Sequence, residues 1–421
     1  MKILILIEIT SLGGHVISAF TTGKELKKRG HEVHFAAGKG PLANKIKKIF
    51  PFYSLNYHHY HGYRETYFTW KSINTLKQLF KVVSKNRFDH IHVFDARSYI
   101  IASILSIVKN IPVTCTLCGS LAPYYNIPKS KKLIVFSKEQ RDKLIDVYRW
   151  KEKNIEVIST RLDMEQFDKI SKEEVKNLYK FYSIDPLDKN IMMITNFLSP
   201  KKESILSVLE ASKIFLTKGQ NVKLVFIGGR GEFFQTAKEI GNEINRKLGR
   251  EGIVFTGSAI DAYRLLMLSY VVLGVGRSAF EGMAFRKPTL IVGEKGYAGT
   301  VSQENIDKIS YHNFAGRNNK KKASTRKLAD EIIRLLEDQN YYNSVKDFGA
   351  EFLYDKIDIK AGITKIEKVY RENKQSIYEK NAFYQIYDMI SVLVPIFIDN
   401  YYNQIKCVIY PNLKAKKEKF K

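Results

Sequence analysis

The sequence predicts an α/β protein made of two doubly wound parallel-sheet domains. Three observations lead there: strands alternate with helices in two successive series, the strands are continuous apolar runs, and glycines stand just past several strand ends. Lys2–Ile7 opens the first series as a strand, its apolar run too short and too acidic for a secretory signal. Leu12–Gly14 is a loop, and His15–Arg29 an amphipathic helix closed by Gly30 in the usual position past a helix end. Glu32–Ala37 is the second strand, followed by strands at Ile91–Ala96, Pro112–Leu117, Leu133–Phe136 with a helix from Lys138, and Ile155–Ile158. Between Phe167 and Asp188 lysine, glutamate and aspartate dominate and Pro186 interrupts, so residues 169–188 read as a linker. The second series runs from IMMITN at Ile191 through a helix from about Glu203, KLVFIGG, a helix through Arg246, IVFTG and a strand from Val271. Helices at Ser324–Glu337 and Tyr341–Arg371 follow. The expected divisions are 1–168, the linker 169–188, 189–355, and 356–421, the last crossing back and ending in a basic amphipathic tail. Strand ends of the two domains are expected to face across a cleft, the place where such sheets bind ligands.

Composition supports a folded chain with an anionic partner. The 421 residues are 44% apolar and 27% charged, and 69 Lys+Arg against 43 Asp+Glu leave a net charge of +26. Such a field suits nucleic acid, an anionic membrane leaflet or phosphorylated substrates, and a solvated lysine coat is the plainer alternative. Three cysteines make no disulfide framework, which fits a reducing compartment. Cys115 and Cys118 have Cys-x-x-Cys spacing, but positions three apart in a strand point to opposite faces and Cys407 is distant, so neither a metal nor a redox site is expected.

The stretch VVLGVGRSAFEGMAFRKPTLIVGEKGYAG, Val271 to Gly299, carries most of the functional information. A buried strand ends in Gly274 and Gly276, which allow a tight turn and close approach of a ligand. Ser278 can cap the helix that follows, whose unpaired N–H groups suit a phosphate, and Arg277 adds a full charge. Glu281 sits one turn in, where it could accept hydrogen bonds from the two hydroxyls of a ribose. Ser278-x-x-Glu281 is equally a capping box, in which the glutamate only satisfies a backbone donor.

These pieces, in this order, resemble bacterial GT-B glycosyltransferases, in particular the retaining family 4, over about residues 1 to 370. Gly13-Gly14-His15 resembles the family's glycine loop, EVISTRLDMEQF its passage into the second domain, NFLSPKKES the loop whose basic pair holds the diphosphate, and GRSAFEGMAFRKPTLIVGEKGYAG its nucleotide-sugar site. The resemblance implies that Glu281 binds the ribose, that the backbone at Gly276, Arg277, Ser278 and Ala279 meets the diphosphate and donor sugar, and that Lys202, with Lys201, neutralises the departing diphosphate. It implies that Gly228 and Gly229 let base and ribose lie against the sheet, and that Gly13 and Gly14 approach the donor. No cofactor or metal is implied beyond the nucleotide sugar, of UDP or GDP type.

Three positions depart from the family pattern. Phe197 replaces an arginine before the basic pair, Leu273 replaces the first of two glutamates, and Cys118 stands where a histidine often precedes glycine. His15 or Asp95 could then share the role of that histidine, since a thiol is a poor hydrogen-bond donor.

Residues 52 to 70 interleave aromatics with His58, His59, His61 and Arg64, which suits a sugar ring or a headgroup layer; no nucleic-acid motif accompanies them. Residues 384–410 are markedly apolar yet interrupted by Asp388, Pro395, Asp399 and Lys406. They read either as an interfacial segment next to the basic cluster LKAKKEKFK or as a cover for an apolar surface of the same protein. The expectation is a cytoplasmic glycosyltransferase, peripheral on the inner face of the membrane, that moves a sugar from a nucleotide diphosphate to a lipid-linked or saccharide acceptor in cell-envelope synthesis. A nucleotide-sugar 2-epimerase of the same fold and a non-catalytic sugar- or nucleic-acid-binding bilobal module are the alternatives.

Overall fold

A computed structural model describes residues 1–57, 72–119, 127–373 and 387–398, apart from positions 131, 160–161, 169, 183, 186, 260–261 and 320–321. The chain forms two units, Met1–Arg161 with Ile359–Lys421, and Leu162–Asp358. The histidines expected at 58, 59 and 61, Arg64, and the basic cluster after 410 lie outside the described residues.

Unit 1 holds the strands β1 (Lys2–Ile9), β2 (Glu32–Gly38), β3 (Phe52–Ser54), β4 (His90–Val93), β5 (Val113–Leu117), β6 (Leu133–Val135) and β7 (Ile155–Val157). They form one sheet in the order β3-β2-β1-β4-β5-β6-β7, with every pairing parallel. Ile3 to Ile7 are fully buried and alternate between two apolar clusters, as a strand covered on both faces requires. The helix after β1 is Gly14–Lys28, with Gly30 at φ +86° just beyond it.

Unit 2 holds β8 (Lys189–Ile194), β9 (Val222–Ile227), β10 (Ile253–Phe255), β11 (Val271–Gly274), β12 (Thr289–Gly293) and β13 (Gly296–Thr300). The order is β10-β9-β8-β11-β12-β13, parallel except for the β12–β13 hairpin, an edge pairing that the glycine-rich sequence there does not reveal.

Three sequence expectations are corrected. The presumed linker 169–188 contains a helix, Lys172–Tyr182, whose Val175, Leu178 and Tyr179 pack against the buried Met192, Val225 and Val272 of unit 2. Its many charges lie on the opposite face, and counting them hid the apolar stripe. The boundary expected at 168 falls at 161 instead, because Leu162, Met164 and Phe167 pack with Phe280, Met283 and Leu353. The single helix expected over Tyr341–Arg371 is two, Gln339–Lys356 and Ile359–Glu372. At the break Leu162 N–H donates to the Ile357 carbonyl at 3.1 Å, and there the chain passes back into unit 1.

The returning helix is fastened to the unit 1 sheet by buried polar groups. His92 Nδ1 meets the Tyr370 hydroxyl at 2.6 Å and its Nε2 meets Thr116 Oγ1 at 2.8 Å, while His90 Nε2 meets Thr114 Oγ1 at 2.9 Å. Asn373 Nδ2 donates to the same Thr114 oxygen at 2.9 Å. Satisfied in this way, the two imidazoles lie inside a sheet at little net cost as long as they stay neutral.

A helix at 387–398 also packs on unit 1. Met389, Val392 and Ile396 are buried, and the Asp388 carboxylate accepts from Lys129 N–H at 2.9 Å. Its other side exposes Tyr387, Ile390, Val394 and Ile398, each between 45% and 66% accessible and spaced as one helical stripe.

Burial lowers the pKa of His90 to about 3 and that of His92 well below its usual value. In the unfolded chain both titrate near 6.5, so the folded form loses stability as pH falls below that value and levels off only near the folded pKa. The slope is at most about 1.4 kcal/mol per pH unit for each histidine. Melting temperature measured between pH 7 and pH 5 should therefore fall more steeply for the wild type than for His90→Gln/His92→Gln. Equal slopes would mean that neither imidazole is held neutral.

Candidate functional site

In each unit the strand order reverses at one point, between β8 and β11 in unit 2 and between β1 and β4 in unit 1. Connections on either side of such a point leave in opposite directions, so the carboxyl ends of those two strands stay uncovered. Most of the residues singled out from the sequence follow these four strands, whereas Gly228 and Gly229 follow β9 and Cys118 follows β5.

In unit 2, Lys201 and Lys202 follow β8. Lys201 is half-buried, and burial lowers its pKa, with Glu294 opposing the shift and Arg317 adding to it. Lys202 is exposed at the start of the helix Lys202–Phe215, its ammonium 5.5 Å from the centre of the Phe233 ring. Lys201 is thus the more enclosed cation of the pair, a distinction the adjacent lysines do not show in the sequence. Phe197 is fully buried among Phe226, Phe234 and Phe255. A guanidinium at that position would be desolvated without a partner, whereas the phenyl ring gains roughly 2–3 kcal/mol by burial.

Gly228 and Gly229 follow β9. Gly228 has φ +138°, and a Cβ there would lie 1.9 Å from the Thr195 carbonyl oxygen, so this turn after β9 admits glycine alone.

After β11 the helix runs from Arg277 to Ala284, and Gly276, not Ser278, takes the N-cap position at φ +53°. Ser278 Oγ turns back, donating to the Val275 carbonyl and accepting from its N–H, each at 3.1 Å. The capping box considered for Ser278 and Glu281 therefore lacks its serine cap. Glu281 Oε1 instead accepts from Arg277 Nε at 2.8 Å, with both side chains nearly buried. Arg277 Nη1 has no hydrogen-bond partner, and Ala279 is fully buried beneath the turn. The peptide groups at the start of this helix, together with Arg277, form an electropositive end suited to an anion.

One contributor was not read from the sequence. Loop 312–317 lies against the same strand ends: Phe314 carbonyl accepts from Gly276 N–H at 2.8 Å, and Gly316 packs on Gly293 at the end of β12. Asn313-Phe-Ala-Gly316 does carry a turn signal, but nothing local ties it to the end of β11, about forty residues earlier in the chain.

In unit 1, Gly13 caps the helix after β1 in extended conformation and Gly14 is its exposed first residue. His15 folds back so that its ring approaches the Gly13 Cα; burial lowers its pKa, and Asp95 partly restores it. Asp95 is the N-cap of the helix Ala96–Lys109, accepting from Ser98 N–H at 2.7 Å on one oxygen and from Glu8 N–H at 2.9 Å on the other. Both oxygens are thus engaged by backbone, so the first role of Asp95 is to join the ends of β1 and β4. Cys118, just after β5, is half-buried, and burial followed by the field of Asp95 pushes its thiol well above its ordinary pKa. It remains a protonated, weak donor. Nearby, Arg97 pairs with Glu8, and the Tyr57 hydroxyl meets Ser98 Oγ at 2.8 Å. Among the described residues no group of three or more His, Cys, Asp or Glu could hold a metal ion.

Comparison with known proteins agrees with this layout. Residues 12–166 match the family model described as Glycosyltransferase Family 4. The N-acetyl-alpha-D-glucosaminyl L-malate synthase of Bacillus anthracis is 22% identical over 386 residues, covering 86% of this chain and 94% of the relative. HepE of Anabaena, solved in complex with UDP and glucose, superposes with a TM-score of 0.67 at 14% identity, over 88% of this chain and 99% of that one. The UDP-GlcNAc 2-epimerase of Neisseria meningitidis, solved with UDP-GlcNAc, gives 0.57 at 15% identity, over 89% and 100%. With two doubly wound sheets, each reversing its strand order at one point, this chain has the GT-B fold of solved glycosyltransferases, and its residues 12–166 match Glycosyltransferase Family 4.

Proposed function

We propose that the chain transfers a sugar, with retention, from a nucleotide-diphosphate donor of UDP or GDP type held by unit 2. The acceptor is lipid-linked or a saccharide, in the synthesis of a cell-envelope polysaccharide or glycolipid, and unit 1 receives it. The observation that carries this reading is the gathering of Lys201, Lys202, Arg277 and the start of the Arg277–Ala284 helix at the β8–β11 switch point. As the bond from the anomeric carbon to the diphosphate breaks and the acceptor oxygen bonds that carbon, the departing phosphate gains a negative charge and takes the acceptor's proton. Cations and oriented N–H groups lower the energy of that charge, and no metal is required for it. Solved neighbours that hold UDP and UDP-sugars support a uridine donor.

Placement on the inner face of a membrane is part of the same reading. Among the described residues no helix is long and apolar enough to cross a membrane. The outward stripe Tyr387–Ile390–Val394–Ile398 and the exposed Lys77, Lys81 and Lys85 of the helix Ser72–Lys85, which has no acidic residue, support contact with an anionic leaflet.

A thermal-shift screen against UDP, GDP, ADP and CDP should show stabilisation by UDP or GDP. Ligand at a hundred times its dissociation constant contributes about 2.7 kcal/mol. Glu281→Gln keeps an acceptor for Arg277 and avoids the cost, about 3–5 kcal/mol, of stranding a buried cation. It should lose most of the shift at an unchanged baseline melting temperature; a full shift would leave Glu281 with no task beyond holding Arg277. In a turnover assay, slow release of free nucleoside diphosphate from a nucleotide sugar marks the transferase, and a 2-epimeric nucleotide sugar marks the alternative enzyme.

Vesicles containing phosphatidylglycerol should float the wild-type chain at low salt and less of it at high salt. Ile390→Asp/Val394→Asp should float poorly in both, and flotation equal to wild type would remove the helix 387–398 from the membrane contact.

A further inference from the structure

The loop that carries Lys201 and Lys202 away from β8 is held from outside as well as by its own residues. Its partner is the turn after β9, and the two are joined backbone to backbone. Phe197 N–H donates to the Arg230 carbonyl at 2.7 Å, and Phe233 N–H donates to the Phe197 carbonyl at 2.9 Å. Between those hooks Gly231 has φ +136°, and a Cβ on it would lie 2.2 Å from the Phe197 carbonyl carbon.

This closeness sets Glu232 against the first residue of the turn Ser199–Lys201. Glu232 Oε1 accepts from Ser199 N–H at 2.6 Å and from the Ser199 hydroxyl. The turn needs such a partner, because the extended Leu198 before it supplies no side-chain cap for its first N–H. A carboxylate there also meets the positive end of the turn and of the helix Lys202–Phe215 that continues it. Further contacts carry this anchoring to both lysines. Lys201 N–H donates to the Leu198 carbonyl at 2.8 Å, and Ser204 Oγ donates to the Lys201 carbonyl at 2.8 Å. The Lys202 ammonium stands 5.5 Å from the centre of the ring of Phe233, next in the chain to Glu232. An exposed glutamate close to two lysines reads at first as a charge that cancels theirs. Among the described residues, however, Glu232 pairs with no cation: its partners are the Ser199 hydroxyl and backbone N–H groups, which lower its pKa and keep it an acceptor.

We propose that Glu232 is a positioning residue for donor binding: through Ser199 it fixes the turn that sets Lys201 and Lys202 at the end of β8, so that a negative side chain strengthens the binding of a diphosphate. This rests on the donor-site reading of unit 2 and adds to it a residue from a different element that acts without touching the donor. The two roles open to this carboxylate differ in sign. As a bare charge it repels an anion at the lysines, and its removal tightens binding. As a brace its removal lets the turn open, so the cations spread over more positions and must be ordered when the anion arrives. Binding then weakens for a diphosphate, which the lysines hold, and stays the same for a nucleoside, which carries no charge.

Calorimetry on the full chain tests this, with the tightest binder among UDP, GDP, ADP and CDP and its nucleoside as the two probes. Glu232→Ala should weaken the diphosphate about tenfold and the nucleoside by no more than about twofold. Glu232→Gln keeps the accepting oxygen without the charge and should bind the diphosphate within about threefold of wild type. Glu232→Asp keeps the charge but falls one methylene short of Ser199, and it should lose about as much as the alanine variant. A field effect reverses that order, with aspartate like wild type and the alanine and glutamine variants binding more tightly, and this result overturns the proposal. Unchanged diphosphate affinity in Glu232→Ala overturns it too, as does an equal loss for both probes, which would make the glutamate a support for unit 2 as a whole. If the alanine variant does not fold, the order of the glutamine and aspartate variants decides alone. A wild-type chain that binds none of the four diphosphates overturns the donor-site reading itself, whereas binding that ignores position 232 overturns this inference alone.

Discussion

The constraint on which the rest depends is the reversal of strand order at β1–β4 and β8–β11. A right-handed crossover after each strand must cover one face of its sheet, and where successive crossovers run in opposite directions the strand ends between them cannot be roofed by their own helices. That leaves backbone N–H groups, a glycine turn and the first residues of two helices open at one spot in each unit. The sequence then only has to place suitable side chains within a few residues of four strand ends. It does so with Gly13, Gly14 and His15 after β1, Asp95 after β4, Lys201 and Lys202 after β8, and Gly276 and Arg277 after β11.

What was legible followed from local physics. Buried parallel strands such as Ile3–Ile7 and Val271–Leu273 are apolar on both faces, so they stand out as unbroken runs, and Gly30 marked a helix end through its need for positive φ. Short edge strands were less visible: β13 is GYAGT, with two glycines and no alternation, and it forms only because β12 turns back on itself. The site was legible as a set of loops but not as a set of roles. Lys201 and Lys202 are interchangeable on paper, and the onset of the helix one residue later or earlier decides which is enclosed. Ser278 fits a capping box by spacing, yet the left-handed Gly276 starts the helix two residues earlier and turns the serine hydroxyl onto Val275. Loop 312–317 was invisible for a different reason, since its importance comes from contacts with Gly276 and Gly293, which chain separation hides.

The helix 387–398 shows how one pattern can satisfy two readings. Its apolar residues are too many for a single stripe, which in a water-facing helix would be an error of patterning. Met389, Val392 and Ile396 take one side into the unit 1 core, and the side bearing Tyr387, Ile390, Val394 and Ile398 is left exposed. Covering its own protein and presenting an apolar face were posed as alternatives, and a helix apolar all round does both.

The two switch points differ in charge, and the difference follows the chemistry proposed for each. In unit 1 the ionisable groups are tied to one another or to backbone: Glu8 to Arg97, Asp95 to two N–H groups, while burial keeps the Cys118 thiol protonated and lowers the pKa of His15. Such a surface presents hydroxyl, imidazole and thiol donors with little net field, suited to a neutral sugar or alcohol whose reacting oxygen must keep its proton until late. In unit 2 the cations Arg277, Lys201 and Lys202 stand after the strands β8 and β11, and Glu281 accepts from Arg277. An anion that arrives with charge and acquires more as its bond breaks is stabilised by cations so placed, and it is stabilised most at the moment of departure. The overall +26 is therefore a poor guide to the site. In the proposed reading a few cations at one strand reversal place the diphosphate, and the remaining lysines, spread over surfaces such as the helix Ser72–Lys85, supply a field for a larger anionic surface.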